Sequence, residues 1–310
     1  MSSLSRILVI PFLLSTAVTI HCMAQQNLAE KLGFEKDAIL LIVHADDIGV
    51  SQSVNAATIE AFEQGGITSG SIMIPCPWAN DFATYYREHP DLDVGIHITL
   101  TSEWQNYKWG GVLPSTEIPS LLDSMNYFYS TEEEVAMHTD VLEVEKEVRA
   151  QIERALILGI QPTHLDTHMG TMGVKPELIE LYLKLGKVYG LPVMIPREWI
   201  HFMPDEVKSS VASEYILVDG FYEMYHEPEG MSWEEAYGSM IETMQPGLNQ
   251  MIVHLAHDNA EMRAVTINHP DYGAVWRQND LDFVTGDAFR KMIRERQIHL
   301  ITWKDIKSVM

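Results

Sequence analysis

The chain has 310 residues, of which 46% are hydrophobic and 21% are charged, so it can bury a sizeable core. Its formal net charge of -23 argues against a nucleic-acid partner, because phosphate backbones are bound by basic surfaces, and it disfavours anionic membrane surfaces. A neutral or cationic small-molecule partner fits this charge better.

Residues 1–24 have the pattern of a secretory signal peptide. Arg6 supplies the positive start, residues 7–20 form a short apolar stretch, and Cys22-Met23-Ala24 is an acceptable cleavage site before Gln25. The apolar stretch is shorter than the roughly 20 residues that span a bilayer, and no later stretch offers about 18 uncharged apolar residues. We therefore expect an exported protein, periplasmic or secreted, without membrane insertion.

The chain contains two cysteines, and removal of the signal peptide leaves only Cys76. A single thiol excludes an intramolecular disulfide and a cysteine metal cluster in the mature protein. We expect Cys76 to be buried and inert.

Short apolar runs alternate with longer amphipathic stretches along residues 25–310, which is typical of βα units. The predicted strands cover residues 39–44, 71–74, 94–99, 163–168, 192–195, 251–255 and 299–303. The predicted helices cover residues 54–63, 131–158 and 177–188. Seven strands with intervening helices favour an α/β fold in a single domain, a distorted TIM-like barrel, although periodicity alone leaves an open sheet as an alternative.

Two long segments, residues 102–130 and 198–245, interrupt this rhythm and are rich in aromatic residues. Loops of this length in a compact domain commonly act as lids or binding walls. Exposed rings such as Trp104 offer flat platforms for the apolar faces of sugars. The alternative is that each ring packs as part of a small satellite core over the barrel.

Acidic and imidazole side chains stand at or near the ends of four predicted strands. Asp46 and Asp47 close the first strand, His97 lies in the third, and His254 lies near the end of the sixth. In the fourth, strict alternation points three side chains to one face: His164, Asp166 and His168. Convergent aspartate and histidine favour a divalent cation in a site that keeps open positions, as catalytic sites require.

Three of these motifs together resemble those of the ChbG/HpnK (YdjC-like) carbohydrate deacetylases, relatives of the NodB-type polysaccharide deacetylases. The matching pieces are Ala45-Asp46-Asp47-Ile48-Gly49, Gly95-Ile96-His97 and Thr163-His164-Leu165-Asp166-Thr167-His168. Gly247 before His254, and Arg277, match more loosely. The resemblance spans most of the chain, from about residue 39 to residue 306.

The resemblance implies a distorted TIM-like barrel of fewer than eight strands that binds a divalent metal. It assigns Asp47, His97 and one histidine of the third motif as metal ligands, with Asp46 as catalytic base and His254 as catalytic acid. We favour His168 as the third ligand because it lies nearer the carboxyl end of its strand.

The remaining residues of the motifs receive supporting roles under the same resemblance. His164 is the alternative third ligand or a substrate contact, and Asp166 orients an imidazole. Arg197 and Arg277 are candidate polar anchors for substrate, with a surface or structural role as the alternative.

The chain departs from the family pattern at two places. Met169-Gly170 stands where a further histidine often follows the third motif, and His254-Leu255-Ala256 replaces His-Pro-Gly. The second departure leaves His257 and His269 as competitors of His254 for the role of the acid.

We therefore predict an exported, metal-dependent hydrolase that removes acetyl groups from N-acetylated monosaccharides or oligosaccharides. It would use one divalent cation, Mg²⁺ or Zn²⁺, and act as a monomer or a homodimer. Another metal-assisted hydrolysis, of an ester or phosphoester, is the first alternative. A sugar-binding protein on a catalytically retired barrel is the second.

Overall fold

Seven parallel strands form one curled sheet in the part of the chain that the structure, a computed structural model, describes, residues 27–203 and 205–310. The strands are β1 (Ile39–Ile48), β2 (Ser69–Ile72), β3 (Val94–Ile98), β4 (Leu165–Thr167), β5 (Gly220–Tyr222), β6 (Gly247–His254) and β7 (His299–Leu300). Their order is β4-β3-β2-β1-β6-β5, and β7 pairs with the first half of β1. The predicted signal peptide, residues 1–24, lies outside the described residues.

Helices surround this sheet and connect its strands. The α-helices of the described residues are α1 (Leu28–Lys31), α2 (Gln52–Glu63), α3 (Ala79–Glu88), α4 (Glu132–His138), α5 (Val141–Ile157), α6 (Pro176–Tyr189), α7 (Asp205–Glu214), α8 (Trp233–Thr243), α9 (Ala260–Val265), α10 (Ala274–Thr285), α11 (Asp287–Glu295) and α12 (Trp303–Ser308). Short 3-10 helices cover Pro119–Leu121, His168–Gly173 and Arg197–Phe202. None of the described helices combines the length and apolar character needed to cross a membrane.

The segment of residues 192–197 closes the barrel between β4 and β5. The N–H of Met194 donates to the carbonyl of Leu165 in β4 at 2.9 Å. On the other side, Val218, just before β5, donates to Ile195 at 2.9 Å. The strand predicted at residues 192–195 thus lies where expected, but it pairs through isolated bridges only. The α/β barrel class is confirmed.

Some predicted element boundaries were wrong, each for a local reason. Strand β5 lies inside a predicted loop, because three residues are too few to give a periodic pattern. The single helix predicted at residues 131–158 is two helices, since Asp140 caps the start of α5. The last strand ends at Leu300, because Thr302 forms a capping box with Asp305 and starts α12.

Strand β1 sends alternate side chains to opposite sides of the sheet. The side chains that pack toward α2, α8 and α10 are Leu41, Val43 and Ala45. Leu40 and Ile42 point to the other side and pack with Trp303, where they fill the floor of the barrel. By the same alternation His44 and Asp46 also point into the barrel, above this apolar floor.

A buried carboxylate of α5 holds the first aromatic-rich segment, residues 102–130, on the barrel. Glu147 is fully buried and accepts the N–H groups of Val112 at 2.8 Å and Leu113 at 3.0 Å. The side-chain amide of Gln151 donates to the same carboxylate at 3.0 Å. Helix α5 therefore fixes the path of a wall of the barrel mouth.

Replacing this carboxylate should destabilise the fold. Glu147→Ala removes the acceptor of two N–H groups, and we expect the free energy of unfolding to fall by about 3 kcal/mol. Urea denaturation followed by circular dichroism measures the change. Glu153→Ala, at an exposed position of the same helix, is the control and should change stability by no more than about 0.5 kcal/mol. Equal effects of the two substitutions would contradict this role of Glu147.

Candidate functional site

Two adjacent carboxylates face the barrel interior because β1 breaks its alternation at Asp47. Asp47 has φ 66°, and the pairing register between β1 and β2 shifts between Ala45 and Ile48. Aspartate enters this left-handed region more readily than most residues, and such backbone strain concentrates at functional sites. Gly49 follows at φ 90°, where an added Cβ would lie 2.9 Å from the backbone of α3. The turn thus aims Asp46 and Asp47 at one site.

Three buried side chains present their donor atoms to one point beside this turn. The Oδ1 atom of Asp47 lies 3.5 Å from Nε2 of His97 and 3.2 Å from Nδ1 of His168. The two histidine nitrogens lie 3.3 Å apart. Ligands about 2.0–2.1 Å from a tetrahedral metal ion are roughly 3.4 Å from one another, so these spacings fit a metal site.

The hydrogen-bonding state of Asp47 also fits a cation. Arg277 donates to Oδ2 of Asp47 at 2.7 Å, whereas the buried Oδ1 has no hydrogen-bond partner among the described residues. A buried carboxylate oxygen without a partner is costly unless a positive charge compensates it. The free oxygen is the one that faces His97 and His168.

The charges around the donor set favour a positive ion. Burial works to raise the pKa of Asp47, but Arg277 and the two histidines hold it well below its usual range. Burial works to lower the pKa of His97, yet the carboxylates, with Asp46 first, raise it well above its usual range. The pKa of His168 rises against burial to about 9, with the charge of Glu103 as the main cause. These pKa shifts reflect an excess of negative charge around the donor set, which a divalent cation would neutralise.

Asp46 differs from its neighbour in its surroundings. Its Oδ2 lies 3.7 Å from Nε2 of His97, and its Oδ1 lies 3.3 Å from Nε2 of His44. Burial raises the pKa of Asp46 to about 6, because the two nearby histidines offset only part of the desolvation. Two adjacent acids therefore have different proton affinities, which suits one of them to proton transfer.

Glu103 orients His168, and the sequence analysis missed it. Its carboxylate accepts from Nε2 of His168 at 3.0 Å. Because a carboxylate only accepts, the proton of a neutral His168 is on Nε2, and the lone pair of Nδ1 faces Asp47 and His97. Glu103 stands beside Trp104 in an irregular segment, where a lone acid gives no periodic signal.

Ser71 and Asp166 surround the other side of His97. The Oγ atom of Ser71 lies 2.9 Å from Nδ1 of His97, so a hydroxyl makes the short contact with this ring. The Oδ2 atom of Asp166 lies 3.7 Å from the same nitrogen and 3.0 Å from Nε2 of His44. The geometry agrees with an orienting role of Asp166 but places His44 nearest to it.

His44, also missed, begins a buried polar chain beneath the site. Its Nδ1 lies 3.1 Å from Oγ of Ser69, which donates to Asp93 at 2.6 Å. The alternation of β1, which puts residues 44 and 46 on one face, was the signal that would have identified His44.

His164 lies in the same buried layer and not in the cavity described next. Its side chain is fully buried, stacks on Trp303 with ring centroids 5.2 Å apart, and contacts Oγ1 of Thr163 at 3.0 Å. A strand rises about 3.3 Å per residue, so four residues separate His164 from His168 in depth although both face inward. This placement argues against the predicted roles of His164 as third ligand or substrate contact and favours His168.

A cavity of about 690 Å³ opens above the donor set. Asp47, His168 and His254 lie in its lining, together with Trp104 and Arg277. Both aromatic-rich segments contribute to the wall, and the second supplies five aromatic or acidic residues: Glu198, Trp199, Phe221, Glu223 and Tyr225. The long loops therefore form walls of this cavity.

Arg197 lies outside this lining. Its guanidinium is exposed and donates from Nε to Oδ1 of Asp219 at 2.8 Å. The prediction that Arg197 anchors substrate does not agree with this position. Arg277 lines the cavity but is largely buried, donates to Asp47 and to the carbonyl of Tyr272, and packs over Trp104.

The three candidate acids occupy different places. The Nε2 atom of His254 lies 4.0 Å from Oδ2 of Asp46, and its ring packs on Tyr272 in the cavity wall. His257 pairs instead with Glu60 at 3.5 Å, away from the cavity lining. His269 lines the cavity. The geometry thus favours His254 over His257.

Comparisons with known proteins agree with this architecture. A family model described as YdjC-like protein matches residues 40–295. A carbohydrate deacetylase of Thermus thermophilus is 30% identical over 292 residues, covering 92% of this chain and 99% of the relative. A chitooligosaccharide deacetylase of Serratia marcescens is 25% identical over 275 residues, covering 86% and 99%.

The fold is also found in a solved structure. A crystal structure from Enterococcus faecalis V583, of a protein proposed to cleave cellobiose phosphate, is 22% identical with a TM-score of 0.72. The match covers 87% of this chain and 99% of that one. The family model matches residues 40–295, which include Asp46, Asp47, His97 and His168. The chain therefore belongs to the YdjC-like family.

Proposed function

We propose that this protein is a divalent-metal-dependent deacetylase that removes acetyl groups from N-acetylated sugars. The observation that carries the proposal is the donor set of Asp47, His97 and His168, with Asp46 beside it, next to an aromatic-walled cavity that Asp47 and His168 line. Membership of the family and the carbohydrate deacetylases among its relatives support the choice of reaction.

Asp47, His97 and His168 would hold the cation through Oδ1, Nε2 and Nδ1. Two imidazoles and one carboxylate favour Zn²⁺ or a similar transition metal over Mg²⁺, which prefers oxygen ligands. A divalent cation bound there would lower the pKa of a water molecule toward neutrality and polarise the acetyl carbonyl.

Asp46 is the group that takes the proton of the attacking water. It lies beside the donor set, and it is not held by the arginine that keeps Asp47 ionised. A carboxylate whose pKa is about 6 is ionised at neutral pH and still has useful proton affinity.

His254 is the group that protonates the sugar nitrogen, because an amide anion is a very poor leaving group. Burial lowers the pKa of His254 to about 3, and the nearby charge of Arg277 acts in the same direction. The ring is therefore neutral at rest, and a proton that it receives is passed on readily. Its position 4.0 Å from Asp46 suits transfer between the base and the leaving group.

The first test is acetate release with and without metal. We expect the full chain to release acetate from N-acetylated sugars, to lose this activity in a chelator, and to regain it with Zn²⁺. Mass spectrometry would show loss of one acetyl mass from the sugar, and phosphate release from sugar phosphates is measured in parallel. Phosphate release without acetate release would favour a phosphoesterase instead.

Replacing Asp46 and replacing Asp47 should have different effects on acetate release and metal content. Asp46→Asn should lower the rate of acetate release by about a hundredfold to ten-thousandfold, since it removes a general base, and should retain metal. Asp47→Asn should lose both acetate release and bound metal, because it removes a metal ligand. Metal content is measured by elemental analysis of dialysed protein. Normal turnover in the Asp46→Asn variant would show that the base is another residue.

The pH dependence follows from the sign of the shift at Asp46. The base must be ionised, so kcat/KM should fall about tenfold per pH unit below its pKa. Burial raises that pKa to about 6 and a bound cation would lower it, so the fall should begin at about pH 6 or below. The residual kcat/KM of the Asp46→Asn variant should not show this fall at low pH. If the variant shows the same fall, a group other than Asp46 causes it.

A further inference from the structure

The cavity wall carries more negative charge than the donor set requires. Apart from Asp47 and Glu103, which pair with Arg277 and His168, four carboxylates line it: Glu132, Glu198, Glu223 and Asp271. Arg277 is the sole lysine or arginine in this described lining, and its guanidinium is already engaged by Asp47 and the carbonyl of Tyr272. The third guanidinium nitrogen of Arg277, Nη1, is buried without a hydrogen-bond partner among the described residues. A ligand in this cavity therefore meets more carboxylates than lysine or arginine side chains.

Among these carboxylates, Glu223 is the one best placed to bind a cationic group of a ligand near His254. It directly follows β5, at the carboxyl end of the strand, as Asp46 and Asp47 lie at the carboxyl end of β1. The hydroxyl of Tyr272 donates to its Oε1 at 3.2 Å, which fixes the carboxyl group beside the ring that packs on His254. Glu223 thus lies next to the place where the leaving nitrogen receives its proton.

The environment of Glu223 disfavours a lone negative charge. Burial raises the pKa of Glu223 to about 8, and the charge of Asp46 adds to the rise. A half-buried carboxyl group with a raised pKa favours its protonated form in an empty cavity and ionises when a cation binds beside it. Its neighbours Tyr225 and Tyr272 offer ring faces, which attract ammonium groups and pack on sugar rings.

We propose that the substrate is an amino-sugar oligosaccharide that already carries a free primary amine on the unit next to the N-acetyl group that is removed, and that Glu223 binds this ammonium group. The inference rests on the deacetylase function proposed above and narrows its substrate class. Sugars that carry phosphate or carboxylate groups would meet repulsion from the same wall and would bind poorly.

The test compares three disaccharides with the same linkage and the metal-loaded full chain. One carries an acetyl group on both nitrogens, and the other two are the isomers with one acetyl group and one free amine. We expect KM for the better mono-acetylated isomer to be about tenfold lower than for the doubly acetylated sugar, which corresponds to about 1.4 kcal/mol.

Two substitutions locate the effect. Glu223→Gln should remove the preference, by raising KM for the amine-bearing sugar while changing the doubly acetylated sugar much less. Glu227→Gln is the matched control, because Glu227 is an exposed glutamate of the same segment outside the cavity lining, and it should keep the preference. The doubly acetylated sugar serves as an internal check on folding, since misfolding would affect all three substrates alike.

The outcomes separate this inference from the proposed function. Acetate release with equal KM values, or with a preference for the doubly acetylated sugar, would overturn the inference and leave the deacetylase function standing. A preference that survives Glu223→Gln, or a loss of kcat on all sugars with an unchanged KM ratio, would overturn the role of Glu223. Absence of acetate from every sugar would instead reject the deacetylase function.

Discussion

The left-handed backbone at Asp47 places two carboxylates side by side where a regular strand would send them to opposite faces. Such a conformation costs about 1–3 kcal/mol, and like charges at close range add to that cost. Arg277 offsets part of it by donating to one oxygen of Asp47, and the ion pair is fully buried. The same contact distinguishes the two acids, because Arg277 helps to hold the pKa of Asp47 low while burial raises that of Asp46, which lacks an arginine partner.

The barrel supplies the rest of the site through the carboxyl ends of its strands. Strands β3, β2, β1 and β6 follow one another in the parallel sheet, so their carboxyl ends lie along one edge, and β4 leads directly into His168. Below this layer an apolar floor that includes Trp303 excludes water, so each electrostatic contact above it acts in a medium of low dielectric constant. Beneath the site, His44 Nδ1 contacts Ser69, which donates to Asp93, while His44 Nε2 faces Asp46 at 3.3 Å.

The two aromatic-rich segments provide carboxylates as well as rings. Glu103 from the first segment orients His168, and Glu223 from the second stands beside Tyr272 in the cavity wall. Rings alone would bind the apolar faces of many sugars, whereas half-buried acids next to them would add discrimination by charge. The irregular segments therefore form much of the cavity wall, and the strands place the aspartate and histidine side chains next to it.

The sequence by itself determined an α/β fold, the acids that end β1 and the inward face of His97 and His168, because strand alternation and apolar runs are local properties. Periodicity alone left a barrel and an open sheet as alternatives, because closure depends on contacts between distant strands. It left open whether His164 or His168 reaches the site, since alternation sets the face of a side chain and not its depth in the barrel. It also missed Glu103, Glu223 and His44, and it predicted a substrate contact for Arg197, which instead pairs with Asp219. Only the tertiary structure decided these points, because each depends on residues far apart in the chain that meet once the sheet curls and the long segments fold over its mouth.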